Sequence, residues 1–265
     1  MADAPIAEAT HVTVRYGDRT VLTDVSTAFA PSRIQVILGT SGCGKTTLLK
    51  TMVGLLKPSS GTVRLFGTEV RDIDSAETMD LLRRVGVLFQ GGALLGSLTT
   101  AENVALPLEM HTGLPRALID EIVRHRLAQV GLPHAEHLYP SELSGGMRKR
   151  AALARALALE PPLVFCDEPS AGLDPVTSAG LDELLLSLRA TLGITLVVVT
   201  HELASIERIA DNIVYLHRGA VLFQGALADA KRIDSGPVRD FFDRRDRSAG
   251  LSGPRDTGFI VEHTP

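Results

Sequence analysis

Nine consecutive residues, Gly39-Thr40-Ser41-Gly42-Cys43-Gly44-Lys45-Thr46-Thr47, satisfy the pattern G-x-x-x-x-G-K-[ST] in full. These residue types dictate a chemistry. Glycines at such places let successive backbone N–H groups turn inward around an anion. The helix that follows points its positive N-terminal end at the same spot. Lys45 then supplies a cation for the outer phosphates of a nucleoside triphosphate, and the Thr46 hydroxyl an oxygen for Mg²⁺. The alternative is an ordinary glycine turn before a helix. The strand-like run ahead of the loop and the helical run behind it count against that alternative.

A second group stands at Leu163-Val164-Phe165-Cys166-Asp167-Glu168. Four apolar residues bury a strand, and two carboxylates emerge at its C-terminal end, where open α/β sheets place their ligands. Asp167 would orient a magnesium ion and its waters, and Glu168 would polarise an attacking water. Pro169 leaves a second reading open, acids in the first turn of a helix. Other polar residues are ambiguous singly. Tyr16 reads as a strand aromatic, Gln90 as a surface amide, His201 as a helix-start histidine, and Ser144-Gly145-Gly146 as a turn and N-cap. Cys43 and Cys166 read as small fillers. Cys43 also lies near a helix N-terminus, which predicts a lowered thiol pKa and ready alkylation by maleimide unless nucleotide protects it.

The elements that must position these groups follow from hydrophobic period. His11–Tyr16 and Val21–Phe29 read as strands around a turn at Gly17-Asp18, and Ile34–Leu38 as a short strand entering the glycine-rich loop. Thr46–Leu55 reads as a helix closed by Gly54 and Pro58. Thr62–Phe66, Val85–Phe89, Leu163–Cys166, Thr195–Val199 and Ile213–Leu216 are further strand candidates. Between Thr99 and Leu159 the spacing is helical, and Pro107, Pro115, Pro133 and Pro140 mark the expected breaks. Strands alternating with helices predict an α/β fold, a mostly parallel sheet covered on both faces. The expected domain spans 8–225, with its core in 8–92 and 160–225 and an inserted helical subdomain over 96–158. A C-terminal extension, 226–265, is expected to be helical and charged, then flexible. Its aromatics in Val238–Phe242 and Phe259-Ile260-Val261 would be exposed for a second copy or a small partner, a solvated frayed end being the alternative.

Composition excludes several classes. The chain has 265 residues, 45% of them hydrophobic and 22% charged, with a net charge of −4. The isoelectric point is near 6.1 and the mean hydropathy +0.16. That length holds one large domain or two small ones, the balance is globular, and a mild negative charge argues against a nucleic-acid partner. In the C-terminal half no uninterrupted run of hydrophobic (AVILMFWYC) residues is longer than the four of Leu196–Val199, far short of the ~20 residues that span a bilayer. The opening MADAPIAEAT has neither a basic nor an apolar region of a secretory signal. Two cysteines make no disulfide framework. A soluble cytoplasmic protein is the expectation.

Between the glycine loop and the acids lies Leu143-Ser144-Gly145-Gly146-Met147-Arg148-Lys149-Arg150. With it the chain resembles the nucleotide-binding subunits of ABC transporters, departing from their LSGGQ-like signature at Met147. Other motifs fall in the family's order over about residues 8–225. Tyr16 matches the aromatic residue stacked on adenine, Gln90 the glutamine that joins the metal site to the helical subdomain, Ser170-Ala171-Gly172-Leu173-Asp174 the D-loop, and His201 the switch histidine.

The resemblance implies a P-loop NTPase (RecA-like) core with a mostly parallel sheet, an N-terminal antiparallel β part and an inserted α-helical subdomain. It implies an ATPase using ATP and Mg²⁺, the metal on Thr46, Gln90 and, through water, Asp167. Gly39 to Thr47 would hold the phosphates, Glu168 would be the base, and His201, Lys45 and Gln90 would complete catalysis. A second copy would contribute Ser144, Gly145, Gly146 and Asp174 across a head-to-tail dimer that ATP closes and hydrolysis resets. Two stretches, Leu88–Ala105 with Pro107-Leu108 and Pro140–Ala156, resemble ATPases of the Mla and Mce-associated lipid transporters. Leu173 and the Ser170-Ala171 pair depart from Mla proper, so the wider Mce-linked group fits as well. Both imply phospholipid cargo, a polytopic permease, an Mce-domain lipid-binding protein, a small regulatory subunit at the tail, and a place on the cytoplasmic face of the inner membrane. Ala93, Leu94 and Leu95 would form a groove for a permease helix or else local core.

Overall fold

The computed structural model describes residues 4–71 and 75–243. Two sheets carry the fold. Strands β1 (Ala7–Tyr16), β2 (Arg19–Phe29), β4 (Ser60–Leu65) and β5 (Thr68–Glu69) form an antiparallel sheet in the order β2-β1-β4-β5. Strands β3 (Ile34–Gly39), β6 (Val85–Leu88), β7 (Leu163–Asp167), β8 (Thr195–Val199), β9 (Asn212–His217) and β10 (Ala220–Ala226) form the second, ordered β10-β9-β3-β8-β7-β6. Every pairing in it is parallel except that of β10 with β9.

The three central strands β3, β7 and β8 are buried at every residue, as a sheet covered on both faces requires. Their side chains, and those of β9, alternate between two cores. Val36, Val164, Cys166, Leu196, Val198 and Tyr215 face a helical layer. Ile37, Phe165, Val197, Val199, Val214 and Leu216 face the antiparallel sheet and helix α1 (Lys45–Met52), which lies between the two sheets. The helical layer holds α3 (Thr100–His111), α4 (Arg116–Gln129), α5 (Gly145–Ala156) and α6 (Pro175–Leu192). Shorter helices are α2 (Ala76–Leu82), α7 (Leu203–Ile209), α8 (Leu227–Lys231) and α9 (Pro237–Phe242). No helix among the described residues is long and apolar enough to cross a membrane.

Several expectations need correction. Helix α1 ends at Met52, not at Leu55, because Gly54 takes the left-handed conformation (φ +74) that closes helices. Pro107 does not break the helical run but sits inside α3. It forfeits one backbone bond, at roughly 3 kcal/mol. Burial of Val104, Ala105 and Leu108 offsets this, as does a capping box in which Thr99 and Glu102 satisfy each other's backbone. The extension expected to be helical from 226 begins its helix at Leu227, since β10 runs to Ala226, and Phe241 is not exposed. Helix α9 buries Val238 and Phe241 in the helical-layer core. The Tyr215 hydroxyl donates to the Pro237 carbonyl (2.9 Å), and the Tyr215 and Phe241 rings meet edge to face at 5.7 Å. Phe259-Ile260-Val261 lie outside the described residues.

Candidate active site

The glycine-rich loop connects β3 to α1, and its backbone admits little but glycine. Gly39 (φ +149) has no room for a Cβ, which would stand 2.2 Å from the Leu216 carbonyl oxygen and 2.8 Å from Cys43 Sγ. Gly44 (φ +108) is the N-cap of α1, and a Cβ there would reach 2.6 Å from Leu22 Cδ2. The loop therefore rests directly on β9 and β2, and the start of α1 follows it. Lys45 Nζ donates to the carbonyls of Gly39 (3.0 Å) and Thr40 (3.4 Å). Its ammonium is thus held on the loop it must serve.

A cavity of 340 Å³ opens over this loop, lined by Val21, Ser41, Gly42, Gly44, Lys45, Thr46, Thr47, Gln90, Glu168 and His201. Residues far apart in sequence converge here because β3, β7 and β8 are adjacent and parallel, so their C-terminal ends share one edge. The Thr46 hydroxyl donates to Asp167 Oδ1 at 3.1 Å. Burial pushes the Asp167 carboxyl up, which the Thr46 hydrogen bond opposes. Glu168 adopts a left-handed backbone (φ +46), unusual for this residue type, and its N–H donates to the Val199 carbonyl at 2.8 Å. Its Oε1 lies 2.7 Å from His201 Nδ1. The carboxylate side chain is 12% exposed and the imidazole 62%. A hidden carboxylate facing the cavity beside a wetter histidine is an arrangement that can accept a proton from a water.

For Mg²⁺, the donors that meet are a threonine hydroxyl and a carboxylate, with the Gln90 amide on the same cavity. Hard oxygen donors few in number fit an ion that keeps water and completes its shell on phosphate oxygens. Among the described residues no group of three or more His, Cys, Asp and Glu side chains offers an all-protein cage.

Not every expected residue meets the cavity. Tyr16, at the end of β1, is half exposed and does not line it, whereas Val21 of β2 does. Ser144 caps α5, accepting from the Met147 N–H at 3.2 Å, and Gly145 and Gly146 open that helix; none of the three lines the cavity. Gly146 is required by contact, since a Cβ would meet Thr177 Cγ2 at 2.5 Å. Asp174 caps α6 through the N–H groups of Val176 and Thr177, both at 3.0 Å, and the Thr177 hydroxyl holds its carboxyl below the usual range.

The reactive reading of Cys43 is overturned. Its residue is 5% exposed, and burial pushes the thiol up. Cys166, fully buried, is pushed up to about 12. Ala93 and Leu95 are exposed and Leu94 packs half-buried on the core. They line no part of a second, 440 Å³ groove that lies alongside, between α2, β6, α3 and α5. Its lining includes Met79, Val85, Phe89, Leu106, Pro107 and Arg155. Sequence reasoning also missed Lys149. It is buried in α5, its ammonium pushed down by desolvation against the pull of Asp167, Cys166 and Glu168. Its spacing from buried Gly146 and Ala152, three residues to either side, was the available signal.

Comparison with known proteins bears on this geometry. Residues 22–171 match the family model described as "ABC transporter". The chain is 38% identical over 256 residues (96% of it, 71% of the relative) to the probable ribonucleotide transport ATP-binding protein mkl of Mycobacterium tuberculosis strain H37Rv. It is 39% identical over 241 residues (91% of it, 89% of the relative) to MlaF, the intermembrane phospholipid transport system ATP-binding protein of Escherichia coli K12. Among solved structures, the dimeric ATP-binding cassette MJ0796, in a post-hydrolysis state bound to ADP and Pi, superposes with a TM-score of 0.76. It is 32% identical, covering 83% of this chain and 98% of that one.

Proposed function

The chain belongs to the ABC transporter family and is an ATP-hydrolysing cassette, and on that premise we propose that it energises a permease that moves phospholipid in a bacterial envelope. The observation that carries the catalytic half is the convergence of Lys45, Thr46, Asp167, Glu168 and His201 on one cavity edge.

The proposed chemistry is in-line displacement. The N–H groups of Gly39 to Thr47 and the Lys45 ammonium hold the β- and γ-phosphates. Thr46, Asp167 and Gln90 would hold Mg²⁺, which when bound neutralises charge on the phosphate oxygens. A water oxygen attacks the γ-phosphorus, its proton passes to Glu168, and the bond from phosphorus to the β–γ bridging oxygen breaks to leave ADP and phosphate. His201, hydrogen-bonded to Glu168, keeps that carboxylate facing the water. Tyr16, half exposed at the end of β1, would supply a face for adenine. Ser144, Gly145, Gly146 and Asp174 would close the site from a second copy. None of the four lines its own cavity, and Ser144 and Asp174 are exposed at their helix starts; both observations support a role in trans, and the MJ0796 cassette is itself dimeric. The cassette so read comprises a core (8–92 and 160–225) and a helical subdomain (96–158), with the extension from 226.

The 440 Å³ groove supports a permease partner. It is chiefly apolar, open, and built from α3 and α5, the elements that hold the Mla/Mce-like stretches. Phospholipid cargo rests on those stretches and on the likeness to MlaF, and it brings an Mce-domain lipid-binding protein and a small regulatory subunit as further expected partners. The expected location is the cytoplasmic face of the inner membrane, reached through the permease. The test is purification of the native complex, with mass spectrometry of its proteins and bound lipids. A polytopic permease, an Mce-domain protein and bound phospholipid are the expected result. The name of mkl makes ribonucleotide the competing cargo. A complex without lipid or Mce-domain protein, but with a solute-binding protein, would overturn the lipid reading and leave the ATPase standing.

A further inference from the structure

Helix α5 does more than present Ser144 at its start. Lys149, one and a half turns in, is 6% exposed, and its ammonium donates to two main-chain carbonyls in other parts of the chain. One is that of Gln90, in close contact, and the other is that of Glu168, at 3.2 Å. Farther along, Arg155 donates to the carbonyls of Gly92 (2.8 Å) and Ala93 (2.7 Å). Between them Ala152 packs so near Gly92 that a Cβ on that glycine would stand 3.4 Å from its own. The segment 90–93 is therefore fastened along α5.

The Glu168 carbonyl matters because the residue is held in an uncommon conformation. A left-handed backbone is unfavourable for a residue with a Cβ and persists only where neighbours over-determine it. Three main-chain bonds do so here. The Glu168 N–H is tied to Val199, and its carbonyl accepts from the Ala171 N–H (3.1 Å) and from Lys149. Lys149 is the one of these three partners that comes from the helical layer.

We propose that Lys149 is a positioning residue for ATP hydrolysis, one buried ammonium that fixes the Gln90 and Glu168 peptides to the helix opened by Ser144. A displacement of α5 then moves the proton acceptor and the Gln90 segment together. This rests on Glu168 being the base.

The test compares Lys149→Gln and Lys149→Arg with wild type, using the full chain in its native complex. The shorter amide of the glutamine cannot bridge both carbonyls, whereas arginine retains charge and several donors. Lys149→Gln should lower kcat by about 10- to 100-fold, the order expected for a misplaced catalytic group, with KM for ATP changed less than about threefold. Lys149→Arg should recover much of the loss. Added to Glu168→Gln, Lys149→Gln should cost far less than it does alone, since both act through one group. Hydrogen exchange at 90–93 and 168–171 should rise in Lys149→Gln while the thermal midpoint stays within a few degrees. Wild-type kcat in Lys149→Gln, or full additivity with Glu168→Gln, overturns the proposal. If Glu168→Gln itself turns over normally, the base assignment fails, and unchanged exchange at those segments is then the result that overturns the Lys149 latch.

Discussion

Replacing Glu168 by Gln removes a proton acceptor and changes little else. The amide has the carboxylate's shape, can keep the left-handed backbone, and still has an atom to offer His201 at the present 2.7 Å. Loss of a general base costs 10²–10⁴-fold, about 3–5 kcal/mol on the barrier. His201→Ala probes the same pair from the other side, and the structure predicts a smaller loss. The imidazole is 62% exposed, so water replaces most of what its hydrogen bond supplies. A net value of about 1 kcal/mol corresponds to roughly five- to tenfold in turnover. Phosphate release by the native complex at saturating Mg-ATP measures both losses, and a fluorescent ATP analogue measures affinity. Glu168→Gln should fall below about a hundredth of wild-type turnover with affinity preserved, and His201→Ala should lie between it and wild type. Turnover above about a tenth in Glu168→Gln would refute Glu168 as the base. A deeper loss in His201→Ala than in Glu168→Gln would transfer that role to the histidine.

Three further outcomes are expected. Cys43 should resist maleimide in the native protein, because its thiol is buried and pushed up; mass spectrometry showing rapid adduct formation without denaturant would contradict that placement. Asp167→Asn should raise the thermal midpoint of the nucleotide-free chain at pH 7 while abolishing Mg-dependent hydrolysis. The sign follows from burial. The folded-state pKa is raised, so the ionised form is penalised by folding above that pKa, and the penalty disappears as pH falls through it; an equal or lower midpoint at pH 7 would refute the argument. Phe241→Ala should lose about 3–5 kcal/mol in chemical denaturation, and a loss under about 1 kcal/mol would return that aromatic to the surface.

What was legible in the sequence was what is decided locally. The phosphate loop could be read because Gly39 and Gly44 need conformations and clearances that no other residue meets, and because Lys45 and Thr46 must follow at once. Asp167 and Glu168 could be read because a strand buried on both faces leaves its carboxylates only at the end. Pro107 could not, since its cost inside α3 is offset by burial that depends on other helices. Strand β10 alternates between half-buried and exposed positions, a weak pattern, although Arg218 and Gly219 with positive φ (+49 and +82) form the two-residue hairpin linking it to β9. Phe241 is buried against Tyr215, distant in sequence, and no local period announces that. Lys149 sits in a run of three cations, where its spacing from the small residues Gly146 and Ala152 is a weak cue, and it is the approach of the Gln90 and Glu168 carbonyls that gives it a role distinct from Arg148.

Helix α5 gives these observations a mechanical order. Twelve residues at 1.5 Å each make a rod of about 18 Å, and its two ends have different neighbours. The N-terminal end presents Ser144 to the surface where a second copy would meet it, and the last turn lines the apolar groove with Arg155 and Ala156. Lys149 lies between, on the carbonyls of Gln90 and Glu168. Buried Ala151, Ala152, Leu153 and Ala154 leave such a rod little freedom to bend. A partner seated in the groove therefore cannot shift its end of α5 without shifting the other end and the Glu168 peptide tied to it. Cargo identity can be decided at the groove while the chemistry stays fixed at the sheet edge, because the two are joined by a helix and not by a shared side chain.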